Sequence, residues 1–146
     1  MLKYMLDTNI VIYTIKNRPE HIRKLFNLRS EQLCISTVTL GELVFGAEHS
    51  QQVERNLADI EAMIARLEVL PFDNKAAYHF GQIRSELYRL GKPIGPYDMM
   101  IAGHARRSGL ILVTNNMKEF SRVPGLILEN WITPLEQTKT NFKENK

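Results

Sequence analysis

Cysteine is nearly missing from this sequence. The single thiol, Cys34, cannot form an internal disulfide, and no CxxC pair is present, so a disulfide framework is excluded. Long apolar runs are missing too. The longest falls far short of the roughly 20 residues that a membrane span requires. The N-terminal stretch MLKYMLD has no cleavable apolar region, so no signal peptide is expected. The histidines, His21, His49, His79 and His104, are scattered without an HExxH and without a thiolate partner, which argues against zinc. Gly91, Gly95 and Gly103 form neither GxGxxG nor a P-loop, so nucleotide cofactors have no support. Repeats, low-complexity blocks and linkers are also lacking. What remains is a soluble, cytoplasmic reading of one domain in 146 residues, long enough to bury a core without staples.

Apolar residues make up 44% and charged residues 24% of the chain, ordinary for a globular protein. The net charge is +3, and its distribution says more than its total. Residues 1–29 carry six Lys/Arg against two acids, residues 84–122 seven against three, and residues 30–83 three against eight. Basic flanks around an acidic middle suit a polyanionic partner, because positive potential steers phosphate backbones. Ordinary solvated faces would give the same counts. Charge permits nucleic acid without requiring it.

Residues 3–6 read as a short buried strand, followed from Asp7 by a helix through Ile10, Ile12 and Ile15. Pro19 breaks or restarts that helix. The run LCIS (33–36) reads as a second strand, with Ser36 as N-cap of the segment TVTLGELVFGAEH. Val53, Leu57, Ile60, Ile64 and Leu67 mark one face of an amphipathic helix over 53–67. A third strand is expected within 67–72, then a helix over 74–90 with Ala77, Phe80, Ile83, Leu87 and Leu90 inward. Pro96 suits the first position of the next helix, and Gly109 its end. LILVT (110–114) is a covered strand, NNMKEF a short helical turn and LILENW a last strand. Residues 133–146 form a polar tail, expected to be loose. Short apolar strands alternating with helices indicate an α/β fold with a mostly parallel sheet. In such sheets, sites form beyond the carboxyl ends of the strands, where Asp7, Ser36 and Thr114 fall.

The acids gather at that edge. Asp7 ends a strand and starts a helix, so helix capping is its simplest role. Glu42 follows Val38 on one helix stripe among Leu40, Leu43, Val44 and Phe45. Buried and ionised there it would cost several kcal/mol, so it is expected to be protonated, paired, metal-bound or snorkelling at the helix edge. Asp98 falls in the first turn of its helix, favourable to the helix dipole. Glu119 sits in the turn after LILVT. Taken together, these are carboxylates on one edge of a parallel sheet. Clustered carboxylates repel unless a hard cation lies between them, and oxygen-only ligation suits Mg²⁺ or Mn²⁺.

The pieces MLDTNI (5–10), Ser36-x-x-Thr39-x-x-Glu42-Leu43, GPYDMMIAGHAR (95–106), TNNMKEF (114–120) and ENW (129–131), in this order, closely resemble the VapC toxins. These are PIN-domain ribonucleases of type II toxin–antitoxin pairs. The resemblance covers about residues 1–132, the expected PIN domain, a three-layer fold with a central sheet between helices. It implies that Asp7 and Asp98 bind an essential divalent ion, Mg²⁺ or Mn²⁺, with Glu42 as third acid and Glu119 as a fourth, more variable one. Thr8, Asn9 and Thr114, with Asn116 beside them, match polar positions that orient the acids and the scissile phosphate. Asn116 stands where the family often has a further aspartate, which puts a second metal ion in doubt.

The implied activity is metal-dependent endoribonuclease cleavage of structured RNA. The target implied is tRNA, with initiator tRNA favoured by the match to the enterobacterial-type subgroup. Glu42 or Glu119 would orient or deprotonate the attacking water. His104, six residues after Asp98 and on another helix face, is taken as a packing or rim residue, and Cys34 as core. The implied partners are a second copy of the chain, a VapB-type antitoxin and, only through that antitoxin, operator DNA. Lys16, Arg18, Arg23, Lys92 and Arg106 are candidate contacts to RNA or antitoxin. The competing reading is a catalytically weak PIN-like module that grips RNA or protein. A phosphoaspartyl phosphatase would want an acid where Asn9 stands, and a receiver domain a late lysine where the chain has LVTNN.

Overall fold

Three short strands at the centre of the sheet are covered on both faces, and their side chains alternate between two cores. In the computed structural model, which describes residues 1–132, β1 (Tyr4–Leu6), β2 (Leu33–Ser36), β3 (Glu68–Leu70), β4 (Ile111–Val113) and β5 (Leu128–Glu129) form one sheet. Its order is β3-β2-β1-β4-β5, with every pair parallel. Successive strand residues point to opposite faces. Tyr4, Leu6, Leu33, Ile35 and Val113 therefore join the core under α1 (Thr8–Lys16), α2 (Glu20–Leu28), α3 (Thr37–Glu48) and α4 (Val53–Ile64). Met5, Cys34 and Leu112 join the opposite core under α5 (Asn74–Arg89) and α6 (Pro96–Ser108). A one-turn helix, α7 (Met117–Phe120), leads from β4 towards β5. The result is helices, sheet, helices in three layers.

The local signals account for most boundaries. Asp7 and Ser36 cap α1 and α3 with side-chain oxygens, Pro96 opens α6, and Gly109, at φ +67°, ends it in the left-handed conformation that glycine tolerates. Two expected helix faces differ. In α5 the buried stripe is Ala76, Ile83 and Leu87 with Phe80 partly covered, whereas Ala77 is exposed and Leu90 is 61% exposed. The stripe Ala76–Phe80–Ile83–Leu87 keeps helical spacing, so the middle of the expected face, Phe80, Ile83 and Leu87, is inward and only its two ends differ. In α4 the helix ends at Ile64, and Leu67 packs from the loop before β3. The expected loose tail, 133–146, lies outside the described residues. Among the described residues no helix is long and apolar enough to cross a membrane.

The sheet order carries the functional consequence. From β1 the chain builds outward through β2 to β3, then returns past β1 to β4 and β5. The reversal lies between β1 and β4, whose carboxyl ends open a crevice at the topological switch point. Asp7 and Thr114 are the residues that leave those two strands.

Candidate active site

Asp7 is 3% exposed at the end of β1. One oxygen accepts from the Thr8 amide at 2.8 Å, which makes it the cap of α1, and the other accepts from Thr114 Oγ1 at 2.9 Å. Capping and site-lining are thus the same geometry. Burial raises the Asp7 pKa above the ordinary carboxylate range, the Thr114 and Thr8 bonds oppose the shift, and Glu42 adds to it.

Glu42 is partly buried on α3, and its Oε1 accepts from Thr8 Oγ1 at 2.7 Å. It does not lie inside the apolar stripe. That stripe is Thr39, Leu43 and Ala47, so Glu42 stands at its edge beside α1, while Val44 and Phe45 face solvent. Asp98, in the first turn of α6, is partly buried, and its pKa is pushed up to about 6. Burial is the main cause, followed by the charges of Asp7, Glu42 and Glu119. Asp98 therefore feels all three other predicted acids. Glu119, on α7, accepts from Asn116 Nδ2 at 3.0 Å, and the Asn116 amide donates to Thr114 Oγ1 at 3.0 Å.

The four acids come from four elements and meet at one sheet edge. The donor set is all oxygen, and none of the four is ion-paired among the described residues, where Arg29–Glu129 is the ion pair formed. That chemistry fits a hard divalent cation. Among the described residues no three His, Cys, Asp or Glu side chains stand, as placed here, in an arrangement that could hold a metal ion.

Of the polar neighbours predicted around them, Thr8, Thr114 and Asn116 are hydrogen-bonded into the acid network. Asn9 is exposed and, among the described residues, its side chain makes no hydrogen bond there. The basic candidates divide. Lys16, Arg18 and Lys92 are exposed. Arg23 instead donates to the carbonyls of Thr14 and Ile15, satisfying the last turn of α1. Arg106 is committed to His79 Nδ1, Gln82 and the Pro124 carbonyl, tying α6 to α5 and the loop before β5. Both arginines hold the fold together, which their position in sequence did not reveal.

His104 is a packing residue rather than a rim one. It is 3% exposed, and its Nδ1 lies 2.8 Å from Ser36 Oγ. Sequence reasoning missed this link. The signal was the uninterrupted run IAGHA in mid-helix, since a helix apolar on every side is buried on every side.

The chain is similar along most of its length to proteins of known family. The PIN domain pattern matches residues 4–126. A tRNA(fMet)-specific endonuclease VapC of Salmonella typhimurium is 61% identical over 131 residues, 90% of this chain and 99% of that protein. Ribonuclease VapC2 of Haemophilus influenzae is 54% identical over 132 residues, 90% of this chain and all of that protein. The crystal structure of DNA-bound VapBC from Salmonella typhimurium contains a chain that superposes with a TM-score of 0.87 at 61% identity, covering 90% of this chain and 99% of that one. With the PIN domain pattern matching residues 4–126 and relatives 54–61% identical along about 90% of the chain, the chain belongs to the PIN-domain family and, within it, to the VapC ribonucleases.

Proposed function

We propose that this chain is the toxin of a type II toxin–antitoxin pair, a divalent-metal-dependent endoribonuclease that cleaves tRNA, initiator tRNA foremost, and so stops translation in the cytoplasm. The Asp98 carboxyl carries the reading. Pushed up to about 6 by burial and by Asp7, Glu42 and Glu119, it marks a place where negative charge is concentrated and left unneutralised. Such a place is poor for stability and good for a cation.

Asp7, Asp98 and Glu42 would hold Mg²⁺ (or Mn²⁺), with Glu119 at the margin. When bound, the ion polarises the phosphate and lowers the pKa of water. The chain's own work is orientation. Thr114 and the Thr8 amide hold the Asp7 carboxylate by both oxygens, and Thr8 Oγ1 holds Glu42. Glu42 and Glu119 are the acids left to orient the attacking water or take its proton. Of the basic candidates, Lys16, Arg18 and Lys92 are those that make no side-chain hydrogen bond or ion pair among the described residues and are left for an RNA backbone.

The tRNA substrate is supported by the printed activity of the Salmonella typhimurium relative. A VapB-type antitoxin and promoter DNA as partners are supported by the DNA-bound VapBC complexes among the neighbours; a homodimer of this chain within the hetero-oligomer, and DNA held only through the antitoxin, belong to the same proposal. A groove of about 250 Å³ between α1, α3 and α4 opens beside Glu42, with Ile12, Ile15 and Leu43 in its wall and Lys16 at its rim. With Ile60 also in the wall and Asp59 opposing the charge of Lys16, it suits an antitoxin segment of mainly apolar character.

The experiment is digestion of total bacterial RNA with Mg²⁺, comparing the native chain with Asp7→Asn. Asparagine preserves the helix cap. Discrete tRNA-sized fragments from the native chain alone, abolished by EDTA, are expected. Equal cleavage by both proteins, or cleavage that survives EDTA, overturns the metal site. A folded native chain that binds RNA without cutting it leaves the binding-module reading instead.

A further inference from the structure

Two consecutive residues hold α6 from two sides. A β-carbon on Gly103 would lie 2.7 Å from the Phe80 backbone nitrogen and 3.0 Å from its Cα, so at this point α6 rests on the bare backbone of α5. Its neighbour His104 reaches away to Ser36, with Nδ1 2.8 Å from Oγ. Ser36 is fully buried, ends β2 and caps α3, its Oγ accepting from the Val38 amide at 3.1 Å. Phe72 packs edge-on against the imidazole with ring centroids 5.6 Å apart. Burial favours the neutral ring. A neutral imidazole has one donor and one acceptor nitrogen, so the serine hydroxyl serves as partner in either tautomer.

The bond joins the two helices that bring Asp98 and Glu42 to the site. Asp98 stands on α6 six residues before His104, and Glu42 on α3 six residues after Ser36. A side-chain carboxylate lies about 5–6 Å from its helix axis, so a rotation of about 10° moves it by about 1 Å. Functional constellations tolerate about 0.5 Å.

We propose that His104 is a positioning residue: its hydrogen bond to Ser36, acting with the Gly103 contact on α5, sets the rotation of α6 and thereby the place of Asp98 relative to Glu42. The proposal rests on the divalent-ion reading of the site. It explains why a polar ring occupies a helix segment otherwise made of Ile101, Ala102, Gly103 and Ala105. A hydrophobic side chain of similar size would fill the space without fixing the angle.

The test is Mn²⁺ affinity of the metal-free full chain by isothermal titration calorimetry, with folding followed by circular dichroism. His104→Phe keeps the volume and loses the bond. His104→Asn puts an amide where Nδ1 lies. Ser36→Gly removes the partner while costing the α3 cap only a few tenths of a kcal/mol. Phe72→Leu disturbs the packing of the ring and spares the bond. His104→Phe and Ser36→Gly are each expected to weaken Mn²⁺ binding about tenfold, as losses of supporting hydrogen bonds around metal ligands do. His104→Asn is expected to stay within about twofold of the native chain, and Phe72→Leu to bind as the native chain does. Native Mn²⁺ affinity in folded His104→Phe or, if that variant does not fold, in Ser36→Gly, overturns the proposal. So does a loss in Phe72→Leu as large as that in His104→Phe, which would make the effect one of stability alone. A folded native chain that takes up no Mn²⁺ overturns the metal reading, and this proposal with it.

Discussion

Thr114 Oγ1 donates to Asp7 Oδ2 at 2.9 Å across the ends of β4 and β1, and the same oxygen accepts from the Asn116 amide at 3.0 Å. One fully buried hydroxyl thus joins the aspartate of the first strand to the turn that carries Glu119. Thr114→Val keeps the shape and removes both bonds. It is expected to cost about 1–3 kcal/mol, because the buried Asp7 carboxylate and the half-buried Asn116 amide each lose a partner. Since the Thr114 bond is the larger of the two hydrogen bonds that hold the Asp7 pKa down, its loss also raises that pKa further. Urea unfolding measures the first effect. The acid limb of the activity–pH profile, moved to higher pH, measures the second.

Asp98 is ionised at a stability cost. Its native pKa of about 6 lies above the ordinary 3.8, so between those values the native state holds more protons than the unfolded chain. Stability of the metal-free protein is therefore full below the lower value, declines as pH rises through this window and stays reduced at neutral pH. Asp98→Asn removes the charge. At pH 7 it is expected to stabilise the metal-free fold by about 1–2 kcal/mol, allowing for partial exposure, and to raise Tm by a few degrees. Cleavage is expected to be lost. Thermal unfolding beside an RNA digestion reads both.

Protons and the divalent ion compete for the same carboxylate. Mn²⁺ affinity is expected to weaken as pH falls through about 6, the native pKa of Asp98, by about tenfold per unit for each ligand carboxylate protonated, Asp7, whose pKa is also raised, adding to the loss. Calorimetric titrations across pH 5–8 test this. An affinity that stays level down to about pH 4, the ordinary carboxylate range, would remove Asp98 from the ligand set.

The arginines and lysines separate by what they touch. Arg106→Ala is expected to destabilise the fold by about 1–3 kcal/mol through its three lost partners and to leave tRNA affinity unchanged. Lys16→Ala, Arg18→Ala and Lys92→Ala are expected to change stability by less than about 0.5 kcal/mol. Each that contacts phosphate reduces the salt slope of tRNA binding by about 1. Fluorescence anisotropy over a range of KCl concentrations distinguishes the two groups.

Much of this was legible before any coordinates. Strands, caps and helix starts depend on neighbours a few residues apart, and YML, LCIS and ILV, with Asp7, Ser36 and Pro96 as punctuation, declared themselves by local chemistry. The alternation of strand and helix implied a parallel sheet, and the order of the motifs implied the family. Asp7, Glu42, Asp98 and Glu119 were readable as a set because strand ends of such a sheet share one edge.

The rest needed the tertiary structure. Whether Ala76 or Ala77 faces inward depends on the angle at which α5 meets α6, where Gly103 lets the backbones close up. Glu42 reads either as buried in its own helix or as standing at the helix edge, and the edge position, with α1 bringing Thr8 beside it, is decided by packing. Arg23 and Arg106 look free until carbonyls of the preceding helix and of the loop before β5 reach their guanidinium groups. The pairing of His104 with Ser36 spans 68 residues. The sequence alone determined which elements form and which acids they carry, because those are short-range matters of propensity and period. Only packing decided the angles between elements, and with them which charges share a field, because those are settled by contacts between residues far apart in the chain.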